Sequence, residues 1–114
     1  MINKSSGAAL TGGAALADIY EVPTGKRARW VLMYVTNTSG SNGTVDVKFY
    51  DASATATLSV LEDYTISSKD FLQVGGEIHA FIMMAEGDKI QASSTQDMTI
   101  LVSVIEENAV IQGG

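Results

Sequence analysis

An all-β fold is predicted: an antiparallel β-sandwich or jelly roll of about seven to nine short strands, preceded by an extended N-terminal arm. Three observations carry this. Short runs rich in Val, Ile, Thr and aromatic residues recur along the chain, each closed by a Gly, Asn, Asp or Ser turn signal. Two of those runs alternate with period two, at Thr44–Tyr50 and Met98–Glu106. No stretch long enough for a helix has helical spacing of its apolar residues.

The elements follow in order. Residues 1–17 are biased to Gly, Ala and Ser and are expected to form an extended arm, because they bring little apolar area to offset their ordering entropy. An arm of small side chains fits closely against a neighbouring surface, and an intersubunit role is favoured for it over folding back on its own domain. Residues 18–107 form the β-sandwich domain, and 108–114 a C-terminal tail in which Val110 and Ile111 want an apolar partner. Asp18–Val22 reads as a short strand, turned by Pro23-Thr24-Gly25 so that it can pair with the strand that follows.

That next strand, Ala28–Thr36, is expected to make a central hairpin with Thr44–Tyr50 across the polar loop 37–43. In strict alternation Trp30, Leu32 and Tyr34 share one face and Val31, Met33 and Val35 the other, so neither face is polar. A strand apolar on both faces is either central to a sandwich or covered by another subunit. Ala52–Thr57 reads as a loop or weak edge strand. Leu58–Leu61 is open between a helical turn and a strand, and Tyr64–Ser67 is a short strand. Phe71–Val74, the apolar run within Glu77–Ala85, Lys89–Ser93 and Met98–Glu106 complete the set, with a turn at Glu86-Gly87-Asp88.

Composition bounds the function. The chain has 114 residues, 46% of them hydrophobic and 18% charged, which fits one globular domain. Its formal net charge of −6 argues against nucleic acid as a partner, since phosphate contacts need clustered Lys and Arg. Lys26, Arg27 and Arg29 are the nearest approach to such a cluster and read as a solvated strand end. Without cysteine there is no disulfide framework or thiolate metal site. No apolar run approaches the length of a membrane-spanning helix, so no membrane partner is expected. SSGAALTGGAA is too polar for the core of a signal peptide.

No constellation for chemistry stands out. His79 is the single histidine, which excludes a multi-histidine metal site within one chain. The carboxylates lack calcium-loop spacing, and Glu86 and Asp88 read as turn residues. No nucleophile elbow or phosphate-binding glycine loop is present. The chain is therefore expected to be no enzyme, with no catalytic, cofactor-binding or metal-binding residues and no cofactor. Its informative residues are aromatic and aliphatic. Trp30, Leu32, Tyr34 and Tyr50 on the central strands, with Val110 and Ile111 in the tail, are the candidate interface set, because large amphipathic rings are favoured at interface cores.

The turn Val22-Pro23-Thr24-Gly25-Lys26, the strand end Val35-Thr36-Asn37-Thr38-Ser39, the turn Glu86-Gly87-Asp88-Lys89-Ile90 and the acidic-ended strand Val102–Glu106 together resemble a pattern in small β-sandwich virion proteins of tailed bacteriophages. The likeness covers roughly residues 18–107. It implies a virion location and a non-enzymatic structural role. Capsid decoration or cement comes first, then a neck, tail or fibre-attachment component. The implied partners are copies of the chain itself, as a homo-oligomer with a trimer favoured, and other virion proteins. A carbohydrate-binding sandwich is the alternative, and it would expose Trp30 or Tyr50. A small hydrolase would need two convergent carboxylates, for which the sequence gives no support.

Overall fold

In the computed structural model, residues 2–75 and 82–109 are described. They form nine β-strands and no helix: β1 (Ile2–Leu10), β2 (Ala17–Glu21), β3 (Lys26–Asn37), β4 (Gly43–Asp51), β5 (Ala56–Ile66), β6 (Phe71–Gly75), β7 (Ile82–Met84), β8 (Lys89–Ser94) and β9 (Met98–Asn108). Two antiparallel sheets pack together. The first has the order β1-β9-β3-β6, with β7 also on β3; the second has the order β2-β8-β4-β5. The chain pairs with itself from the outside inward: β1 with β9, β2 with β8, β3 with β6 and β7, and β4 with β5. Counting β6 and β7 as one position along β3, this is the nested pairing of a jelly roll.

This topology corrects two sequence expectations. β3 and β4 are consecutive but do not pair, because the loop after Asn37 carries the chain from one sheet to the other. Likewise β2 pairs with β8 rather than β3. Asn37 organises the crossing. It is buried; its Nδ2 donates to Ser41 O and Ile66 O, and its Oδ1 accepts from Ser39 N and Oγ.

The turns read from the sequence are present and meet in space. Lys26 N donates to Pro23 O at 3.1 Å around Gly25, whose φ of 79° suits glycine. Gly25 N in turn donates to Glu86 Oε1, and Gly87 N to Val22 O. Asp88 is buried there, with Oδ1 accepting from Ala52 N and Oδ2 from Ala85 N. Both its oxygens are thus held by backbone donors.

The core lies between the sheets. Trp30, Met33 and Val35 of β3 meet Ile100, Val102 and Val104 of β9, opposite Val45 and Val47 of β4 and Ile90 and Ala92 of β8. Within the small-residue stretch, residues 2–10 form an edge strand of the first sheet. Ile2–Leu10 pairs with β9 along its whole length, Leu10 enters the core, and Ser6 Oγ donates to Ile19 O across to the second sheet. Backbone pairing, not side-chain area, recruits this polar, small-residue stretch.

Candidate assembly surface

The outer face of the first sheet is built by the residues that alternate away from this core. On β9 these are Thr99, Leu101, Ser103 and Ile105. Opposite them on β1 stand Ala9, Gly7, Ser5 and Asn3. On β3 the register changes. Trp30 pairs with Val104, but Leu32 pairs with Ser103, so Val31 is an extra residue in a β-bulge. The bulge resets the alternation: Ala28 and Trp30 point inward before it, Met33, Val35 and Asn37 after it. Leu32, Tyr34 and Thr36 therefore join the outer face.

Three large apolar side chains stand open there. Phe71 on β6 is 56% exposed, Leu101 is 44% exposed and Met83 on β7 is 64% exposed. The Tyr34 ring lies against Phe71, with centroids 5.9 Å apart, and its hydroxyl donates to Gln73 Oε1. Leu101 lies over Gly7. A Cβ on Gly7 would stand 3.3 Å from Leu101 Cδ1 and 3.1 Å from Ile100 O, a tight fit that a neighbour would have to relieve by a few tenths of an ångström. Gly7, Ala9, Tyr34, Thr36, Thr99 and Leu101 line a shallow open trough.

Among the described residues, the charged side chains of these strands gather at one end of the face. Arg27 Nε donates to Glu107 Oε2 at 2.6 Å, and Lys26 Nζ to Asn108 Oδ1. The basic cluster is thus at a strand end, with Arg27 in an exposed ion pair. From Ser5 to Ala9, Leu32 to Thr36, Phe71 to Gly75 and Thr99 to Ser103, no residue is charged. These stretches form an uncharged patch on a chain of net charge −6.

The candidate interface residues divide. Leu32 and Tyr34 lie on this face. Trp30 does not: it is fully buried in its own subunit, where Nε1 donates to Leu32 O at 3.2 Å. The bulge at Val31 is the physical reason, since it places Trp30 in phase with Met33 and Val35. Tyr50 is on the opposite side of the molecule, on the second sheet, with Lys89 Nζ 5.6 Å from its ring centroid. Val110, Ile111 and His79 lie outside the described residues. Phe71, Leu101 and Met83 were absent from the candidate set. The outward position of Leu101 was legible in the alternation of β9, but its exposure was not.

One buried polar group stands at the open end of the sandwich. Glu106 faces inward from β9 and is almost fully buried. It accepts a hydrogen bond from Tyr20 Oη at Oε2, and its Oε1 lies 3.3 Å from Lys4 Nζ. Burial, then the Glu106 hydrogen bond and charge, push the Tyr20 phenol well above its ordinary range. These three groups join β1, β2 and β9. Among the described residues, no group of three or more His, Cys, Asp or Glu could hold a metal ion. The chain matches no protein-family model, and no curated protein is significantly similar to it.

Proposed function

We propose that the protein is a non-enzymatic structural component of a bacteriophage virion, capsid decoration first, that works by binding copies of itself and other virion proteins. One observation carries the reading: the outer face of the first sheet is uncharged over β1, β9, β3 and β6 and exposes Phe71 and Leu101, with Met83 opposite Arg29 at its charged end. Jelly rolls serve in viral capsid and lectin domains alike, so the fold leaves the choice to the surface. A lectin-like reading needs an exposed aromatic platform, and burial of Trp30 removes one of its two expected anchors.

The mechanism is burial. Each Å² of apolar surface removed from water contributes about 25 cal/mol, and the flat sheet presents Leu101, Tyr34 and Phe71 side by side. The acidic balance keeps free subunits apart until these faces meet. Light scattering across a concentration series tests this. The wild-type chain is expected as a discrete oligomer, and Leu101→Glu as a monomer with an unchanged melting temperature. A Leu101→Glu chain that assembles like wild type overturns the proposal.

A further inference from the structure

A jelly roll leaves four sheet edges, and among the described residues three of these carry features that discourage pairing. β5 carries Glu62 and Asp63 at a kink where Asp63 has φ 50°, and its pairing with β4 shifts register twice. β2 is five residues long, is bulged at Ile19 and carries Asp18 and Glu21. β6 and β7 are five and three residues long. Short length, charge and bulges are the devices that stop an edge from pairing with another chain.

β1 lacks two of them, short length and bulges. It is nine residues long, holds no proline, and pairs with β9 without a register shift. Its single charge, on Lys4, is directed to Glu106. None of the chain's 13 carboxylates falls within residues 1–17. Two acidic chains therefore meet with least repulsion along this strand.

We propose that β1 is an interaction edge whose occupant is β1 of a second copy, paired antiparallel about a two-fold axis; this rests on the assembly reading above. Full overlap of Ile2–Leu10 with itself centres the pair on Ser6. Ile2 then faces Leu10, Lys4 faces Ala8 and Ser5 faces Gly7, so no like charges are opposed. A two-fold axis perpendicular to the sheet keeps both outer faces on one side. The two first sheets fuse into one, and the apolar face of Leu101, Tyr34 and Phe71 is doubled for a virion partner. The contact is isologous, so it builds pairs and replaces the trimer expected from the sequence.

The chain has no cysteine, so an introduced one is a unique label site. Asn3, Ser5 and Ala9 lie on the outer side of β1 and accept a pyrene. In the proposed register, Ser5 of the two copies lies on a ladder diagonal, Asn3 faces Ala9, and Asn3 is remote from Asn3. Labelled full-length Ser5→Cys is expected to give strong excimer emission, lost on dilution to monomer. Asn3→Cys alone stays dark, whereas its equal mixture with Ala9→Cys brightens several-fold. Assembled protein that is dark at Ser5, or Asn3→Cys alone as bright as the mixture, overturns the pairing and leaves the assembly reading standing. A chain monomeric at every concentration overturns both.

Discussion

The Tyr20–Glu106–Lys4 cluster gives the sharpest stability prediction, because its two arms differ in exposure. Tyr20→Phe removes one hydroxyl and leaves a buried carboxylate oxygen without its donor. A hydrogen bond to a charged acceptor contributes about 1.5–3 kcal/mol, and an unpaired buried acceptor retains its desolvation cost. At about 4 °C per kcal/mol for a chain of this size, the melting temperature should fall by about 6–12 °C. Lys4 reaches the same carboxylate, but its side chain is 50% exposed, so Lys4→Ala should cost at most about 1 kcal/mol. Calorimetry of both variants at neutral pH makes the comparison. The pH dependence adds a second readout. The folded chain holds the Tyr20 proton more tightly than the unfolded chain, by burial first and then by the Glu106 hydrogen bond and charge. Stability tied to the neutral phenol is therefore complete below about pH 10, the ordinary tyrosine value, and is lost as pH rises above it toward the folded-state value. The gap between wild type and Tyr20→Phe should narrow over that alkaline range. Equal losses from Tyr20→Phe and Lys4→Ala, or a gap that is constant with pH, would refute the reasoning.

Two further predictions test the core and its register. Trp30→Ala should cost about 3–5 kcal/mol, measured as a shift of the urea midpoint, because it empties a fully buried site; a cost below about 1 kcal/mol would place Trp30 outside the core. Deleting Val31 removes the extra residue and leaves Trp30, Leu32 and Met33 in regular alternation opposite Val104, Ser103 and Val102, so Trp30, Met33 and Val35 all keep their inward places. The deletion chain should therefore keep a cooperative thermal transition, as Val31→Ala does, and a deletion chain without one would refute Val31 as the extra residue.

What the sequence disclosed and what it hid follow from one physical distinction. Strands with one dry and one wet face could be read. β4 and β9 alternate cleanly, and their buried sets, Val45 with Val47 and Ile100 with Val102 and Val104, are those the pattern gives. β3 is apolar on both faces, so a one-residue slip changes nothing in its pattern, and the bulge at Val31 could not be seen. That slip moved Trp30 from the candidate surface to the core. β5 was hidden for a related reason: its register shifts opposite Val45–Lys48 break the alternation of Ala56–Ile66 into fragments that resemble a loop, a turn and a short strand.

β1 was hidden for the opposite reason. Its side chains bury little, and what orders it is the ladder to β9, which composition does not register. Leu101 crosses Gly7 closely, so a larger residue there would make Leu101 or the β9 backbone give by a few tenths of an ångström. Strand and surface are therefore one construction. The glycine that brings β1 onto β9 also leaves Leu101 raised beside an open trough, with the β1 edge at its side. Deleting residues 1–17 cannot separate assembly from folding, because it strips β9 of its partner and removes Leu10 from the core. Single changes at Leu101 and labels at Ser5 can separate them, because both sites are exposed and neither holds the sheets together.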